Sequence, residues 1–256
     1  MAAYSFATQD YITGAFTFDW TLEPWRRLRN DIFADALVRS LVIATSAMVA
    51  CAIVGYPLAY FVARHAGRFR NVALLLIIVP FWLSFIVRAF AWLDLLSEAG
   101  YVNRLLMWMG LINEPLELVN NTTGILIGIT YGYLPLMVFP LYVSLQRIDE
   151  RVFEASRDLG ASAFATFRRV TFPLALPGLI AGCIIVWIPA LGEYVIPQIL
   201  GGAKTYMVGN IIAVNFERFA WPEGAAAALA LVLIAFAFII VVRLLVGRER
   251  LGQAFD

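Results

Sequence analysis

Ile148-Asp149-Glu150-Arg151-Val152-Phe153-Glu154-Ala155-Ser156-Arg157-Asp158-Leu159-Gly160 is a charged stretch set between apolar ones, Gly124 to Leu145 before it and Leu179 to Leu200 after it. It runs on through Arg168-Arg169-Val170-Thr171-Phe172-Pro173 to Leu176-Pro177-Gly178. About thirty residues of this polarity cannot rest in hydrocarbon, whereas each flanking run has the roughly twenty residues that a helix needs to cross it. The alternation places the charged stretch in water on one side of a membrane, within reach of a soluble partner.

Composition points the same way. The chain is 62% apolar and 14% charged with a mean hydropathy of +0.81, outside the range of soluble domains. Continuous apolar runs exclude a transmembrane barrel, whose strands are short and alternating. The expected fold is therefore all-α, a polytopic membrane helical bundle. Five spans are expected: Ala36 to Val62, Val72 to Leu93, Gly124 to Leu145, Leu179 to Leu200 and Ala225 to Val246. Cys51 and Cys183 lie inside apolar runs without CxxC spacing and read as small buried hydrophobes. His65 has no ligand-like neighbours, and residues 1–30 lack the apolar core of a signal peptide.

Charge sets the expected orientation. Arg64, Arg68 and Arg70 follow the first span, Arg147, Arg151, Arg157, Arg168 and Arg169 follow the third, and Arg243, Arg248 and Arg250 close the chain, all on one side. The other side carries only Arg104, Lys204 and Arg218 between spans, so the basic side is expected to be cytoplasmic. Residues 1–35 then fall outside, and Phe16, Phe18, Trp20 and Trp25 suit an interfacial segment. Either the first span inserts without an upstream signal or a leading helix is absent; the second is preferred.

Within the charged stretch, Val152, Ala155, Ser156 and Leu159 recur at helical spacing, giving a narrow apolar stripe, while Arg151, Glu154, Arg157 and Asp158 stay wet. Gly160 suits a helix C-cap and Ser162 the cap of a second short helix through Phe167 to Val170. Pro173 and Pro177 are expected to interrupt helix and relaunch the chain into the fourth span. Glu154-Ala155-Ser156, three residues, Gly160, nine residues, Val170-Thr171-Phe172-Pro173 resembles the EAA loop of ABC importer permeases. It departs from that pattern only by Ser156 for Ala, Val170 for Ile and Phe172 for Leu. The resemblance implies the type I permease fold and a cytoplasmic coupling loop, residues 147–176, in which Glu154, Ala155, Ser156, Gly160, Val170 and Pro173 engage an ATPase subunit.

Further strings, Gly55-Tyr56-Pro57-Leu58-Ala59-Tyr60, Pro80 through Arg88, Gly192-Glu193-Tyr194-Val195-Ile196-Pro197, Leu200 through Lys204, and Trp221-Pro222, resemble permeases of the spermidine/putrescine group. That resemblance implies two ATPase subunits, a second and different permease chain, and a periplasmic solute-binding protein, in a bacterial inner (plasma) membrane. It implies that ATP and Mg are used by the ATPase subunits, with no cofactor in this chain and no nucleic-acid partner. The family has six spans, and the resemblance begins after its first helix. The expected organisation is an extracytoplasmic stretch 1–35, a permease domain 36–247 and a cytoplasmic tail 248–256.

Candidate pathway residues are charged or aromatic groups at membrane depth. Arg88 in the second span costs several kcal/mol on insertion scales unless it faces protein or water. With Asp94 it forms a candidate gate, or it is a snorkelling arginine with interhelical polar contacts. Glu193 lies among Pro189, Gly192 and Pro197, which are expected to break the span beside it. It is a candidate for contact with a cationic solute, flanked by Trp187 and Tyr194, or for docking of the binding protein. Short helices are expected near Val102 to Met109 and Met207 to Val214. The chain has no GxxxxGK[ST] phosphate loop, no HExxH and no Ser/His/Asp set, which disfavours an enzyme. Other cargoes, such as iron or opines, and an ion-coupled secondary transporter remain alternatives.

Overall fold

A computed structural model describes residues 1–10, 14–202 and 205–246. Lys204, Arg248, Arg250 and the expected tail 248–256 lie outside the described residues. A small antiparallel pair, β1 (Thr8–Gln9) and β2 (Phe16–Thr17), opens the chain, followed by α1 (Glu23–Arg27). The remaining helices are α2 (Asp31–Arg64), α3 (Arg70–Trp82), α4 (Phe85–Leu96), α5 (Tyr101–Trp108), α6 (Thr122–Gln146), α7 (Glu150–Asp158), α8 (Ala163–Thr166), α9 (Phe172–Leu191), α10 (Val195–Leu200), α11 (Val208–Glu217) and α12 (Trp221–Val246).

Among the described residues, four helices are long and apolar enough to cross a membrane, and the bent pair α3 and α4 makes a fifth if counted as one span. The expected second span, Val72 to Leu93, is therefore corrected: helix stops at Trp82, two residues after Pro80, and Leu83 is extended before α4 begins. The expected fourth span, Leu179 to Leu200, is corrected at both ends. Its helix, α9, stops at Leu191, and at its start, Phe172, it continues without a break from the turns before it. Neither Pro173 nor Pro177 interrupts it, because residues 163–191 form one continuous 29-residue helix. Between Phe167 and Thr171 the turn is wide, with the Phe172 N–H bonded to the Phe167 carbonyl five residues back. A proline ring presses on the carbonyl four residues before it, and a widened turn makes that room for Pro173.

The chain divides into two compact units. The first comprises Met1–Ser46, Phe85–Ile129 and Ile188–Ile239; the second comprises Ala47–Ser84, Thr130–Trp187 and Ile240–Asp256. In the second unit, α2, α6 and α9 close on a core that includes Cys51, Ala59, Val62, Met137, Leu141, Leu145 and Val186. Small residues allow that approach. A Cβ at Gly182 would meet Met137 Sδ at 2.7 Å, and one at Gly178 would collide with the Pro140 carbonyl and Ser144 Oγ. Backbones that come this close gain van der Waals contact, which drives helix association where no hydrophobic effect operates.

In the first unit, α10 packs against α4, and the Asn120 N–H donates to the Leu200 carbonyl at 2.7 Å. The amino-terminal segment is fastened to the start of α12. Arg27 bridges Glu23 at 2.7 Å and Glu223 at 2.8 Å, and Gln9 accepts the Trp221 N–H at 3.2 Å.

Candidate functional site

The EAA-like stretch folds as a hairpin of two short helices in the second unit. Asp149 caps α7 by accepting the Arg151 N–H at 3.0 Å. Its other end is a Schellman turn: the Gly160 N–H reaches the Arg157 carbonyl at 2.8 Å and the Ala161 N–H reaches that of Ser156 at 3.1 Å. Gly160 has φ +73°, the left-handed backbone that glycine adopts without strain. Ser162 then accepts the Ala165 N–H at 3.2 Å and starts α8. Both caps fall where the sequence placed them.

The faces of α7 differ from the expected stripe. Phe153 and Ser156 turn inward, and Ser156 Oγ lies 2.8 Å from Thr166 Oγ1, tying α7 to α8. Val152 and Ala155 face out, and Leu159 is 87% exposed. Ser156 thus belongs to the hairpin's interior because Thr166, ten residues on, offers a partner that spacing alone does not reveal. Val152, Ala155, Leu159, Gly160, Ala165, Arg169 and Val170 line a concavity of about 660 Å³ on this hairpin. Glu154 and Pro173 are exposed and Val170 is half-buried. The hairpin presents apolar surface ringed by exposed Arg151, Glu154, Arg157 and Asp158, a composition suited to a protein groove and not to lipid tails.

The second candidate region lies in the first unit, where α9 ends at Leu191 and α10 begins at Val195. Glu193 is 6% exposed, and its Oε1 accepts the N–H groups of Tyr194 and Val195 at 3.0 Å and of Ile196 at 3.4 Å. A carboxylate over the free N–H groups of a helix start satisfies donors that have no partner within the helix. Pro197 sits in that same first turn, where its missing N–H leaves no gap. The break is locked from outside by Asn210, which donates from Nδ2 to the Tyr194 carbonyl at 2.9 Å and accepts the Met207 N–H at 3.0 Å. Gly209 packs so closely that a Cβ there would stand 2.5 Å from the Gly192 carbonyl oxygen and 2.6 Å from that of Glu193. Ser40 of α2 completes the knot by accepting the Val208 N–H at 2.9 Å.

Of the other candidates, Arg88 is buried with its guanidinium 5.3 Å from the Phe85 ring centre, whereas Asp94, six residues on, is exposed. Six residues carry a helix roughly 120° away from a shared face, so α4 does not present them as a pair. Tyr194 is 46% exposed, and Trp187 is buried within the second unit. The sequence reading missed Arg39, whose Nη1 donates to the Tyr206 carbonyl at 3.3 Å; an arginine inside an apolar run was the available signal. It also missed Ser40 and Asn210, whose partners are remote in sequence. Among the described residues, no group of three His, Cys, Asp or Glu side chains is placed to hold a metal.

Residues 55–249 match the family described as binding-protein-dependent transport system inner membrane component. The chain belongs to this permease family. It is 40% identical over 211 residues, 82% of this chain and 77% of the relative, to the spermidine/putrescine transport system permease protein PotB of Escherichia coli (strain K12). It is 36% identical to PotB of Haemophilus influenzae over 89% of this chain and 79% of the relative. A bacterial ABC transporter that imports the acidic polysaccharide alginate has a chain of the same fold, with a TM-score of 0.72 at 15% identity, covering 88% of this chain and 82% of that one. The permease is thus an inner membrane transport component, not an enzyme, and such permeases act with ATPase and solute-binding partners.

Proposed function

We propose that this permease forms one half of the membrane pathway of an ATP-driven polyamine importer. A second, different permease chain supplies the other half, with two ATPase subunits on the cytoplasmic side and a binding protein on the opposite one. The identity to two PotB proteins supports putrescine and spermidine as cargo. Exposed apolar helix faces leave room for lipid and a further membrane partner: Val232, Leu233, Phe236, Ile240 and Leu244 of α12 are exposed within this chain. The basic clusters support a cytoplasmic position for α7, α8 and the carboxyl terminus.

The observation that carries the coupling role is the outward turn of Val152, Ala155 and Leu159 between capped ends. Glu154, Ala155 and Gly160 meet the ATPase, Ser156 holds the hairpin together, and Val170 and Pro173 carry its motion into α9. Arg88, Asp94, Trp187 and Tyr194 remain proposed pathway or gate residues, the aromatic rings adding cation–π attraction of roughly 0.5–2 kcal/mol to a passing ammonium. Glu193 shapes the pathway indirectly by holding open the break between α9 and α10.

The test is uptake of labelled putrescine and spermidine into proteoliposomes holding this chain with its ATPase, second permease and binding protein. ATP-dependent accumulation is expected. Uptake driven by a sodium or proton gradient without the ATPase would refute the reading, and ATP-driven uptake of a different solute would refute the cargo alone.

A further inference from the structure

The last residue of α2 makes an unusual set of contacts. Arg64 Nη2 donates to the carbonyls of Leu145 at 2.7 Å and Ile148 at 2.6 Å, and Nη1 reaches Glu150 Oε2 at 3.4 Å. The face of the same guanidinium lies 4.5 Å from the Phe153 ring centre. Leu145 is in the final turn of α6, Ile148 is in the link between helices, and Glu150 and Phe153 belong to the first turns of α7. One side chain therefore holds the end of α2, the end of α6 and the start of α7.

Each contact has its own physical reason. The last carbonyls of a helix lack internal partners and carry the negative end of its dipole, so a cation there is favoured. Arginine alone presents a rigid planar fork of five donors with a face free to cover an aromatic ring. Its side chain is only 15% exposed, so these bonds are shielded from competing water. Phe153 beneath it is packed in the same core cluster as Val62, Leu145 and Ile148. Glu150 continues the chain of charge outward, with Oε1 bonded to Arg157 on the exposed side of α7 at 3.2 Å.

We infer that Arg64 is the positioning residue through which movement of α7 is delivered to α2 and α6. The inference rests on α7 and α8 being the element that meets the ATPase. The link from α6 to α7 is three residues long, Arg147 to Asp149, and a chain that short without a brace can swivel under load. Arg64 bridges that swivel point from α2, fixing the carbonyl on its α6 side and the carboxylate on its α7 side. With the brace in place, α7 and the ends of both long helices move together; without it, the hairpin follows the ATPase while the spans lag.

The readout is the number of solute molecules imported per ATP hydrolysed by the full transporter in proteoliposomes, which a purely stabilising residue would leave unchanged in those complexes that assemble. Arg64→Ala is expected to retain ATP hydrolysis within about twofold and to lower this ratio at least tenfold. Arg64→Lys, which keeps the charge but cannot serve two carbonyls and a carboxylate together, is expected to fall between. Glu150→Gln keeps both carbonyl bonds and is expected to lose less than either. A wild-type ratio in Arg64→Ala overturns the inference. Should Arg64→Ala not assemble, Arg64→Lys decides: a lowered ratio supports the fork-shaped brace, and a wild-type ratio overturns it. Photo-crosslinking to the ATPase from a benzophenone maleimide attached to Leu159→Cys, in an otherwise unaltered chain, keeps the two ideas apart. Absence of that crosslink defeats the docking role of α7, whereas its presence alongside an unchanged ratio in Arg64→Ala defeats only the brace.

Discussion

Replacing Gly160 tests the coupling hairpin at the point where its backbone permits least. The residue has φ +73°, and nothing lies within 4 Å of where a Cβ would sit, so a substitution there is opposed by conformation and not by collision. An L-residue in the left-handed region pays about 1–2 kcal/mol, and a β-branched one sits at the upper end. On that scale Gly160→Ala weakens the native turn by about 1 kcal/mol and Gly160→Val by about 2, shrinking its population ratio roughly 5- to 30-fold. Asparagine visits this region readily, so Gly160→Asn is expected to stay within about 0.5 kcal/mol of the parent. ATP-dependent polyamine uptake in proteoliposomes should therefore fall in the order Asn, Ala, Val. Normal uptake by Gly160→Val would remove the turn from the mechanism. Equal damage from Asn and Val would show that added bulk at the docking surface matters, not backbone strain.

Three further outcomes follow from the polar knot beside α10. Asn210→Ala strands the Tyr194 carbonyl and the Met207 N–H in a site only 2% exposed, a loss of about 1–3 kcal/mol for each buried group, and the thermal midpoint in detergent should drop by several degrees. An unchanged midpoint would mean that water reaches both groups. Glu193→Gln leaves an oxygen for the α10 N–H groups and should preserve most uptake, whereas Glu193→Ala should lose about 2 kcal/mol of stability in the same melting assay. If Glu193→Gln instead abolishes uptake without altering stability, the charge itself faces the solute. Gly209→Ala drives a methyl group against two backbone oxygens that cannot swing aside, and should destabilise by about 1–3 kcal/mol, seen as lower yield of folded complex. A wild-type yield would show that α11 can retreat without harm.

How much was legible in the sequence depended on how local the deciding contacts are. The hairpin was readable because its punctuation is local: Gly160 and Ser162 each act on backbone groups a few positions away, and Asp149, whose cap the structure added, does the same. The polarity that keeps it from lipid is visible in the residues themselves. The break beside Glu193 was readable from Pro189, Gly192 and Pro197, but hydropathy carried the span past it, since a carboxylate that has taken three N–H groups no longer behaves as an exposed charge and an apolar run continues on both sides. Pro173 misled for the opposite reason, because a breaker was expected to break and the wide turn before it absorbs the ring. Ser40 with Val208 is a pair separated by 168 positions, and only the assembled fold brings its members together. The sequence grouped Ser156 with the docking stripe of α7, and its inward place depends on Thr166 of α8.

The outward stripe on α7 also bears on how the permease is kept in step with its partners. Val152, Ala155 and Leu159 offer an oily face to water, so under the proposed coupling role a copy without its ATPase resembles an incompletely folded protein to cellular quality control. Pulse-chase lifetimes should accordingly lengthen when the ATPase is co-expressed, and surplus subunits would be removed without any dedicated regulator.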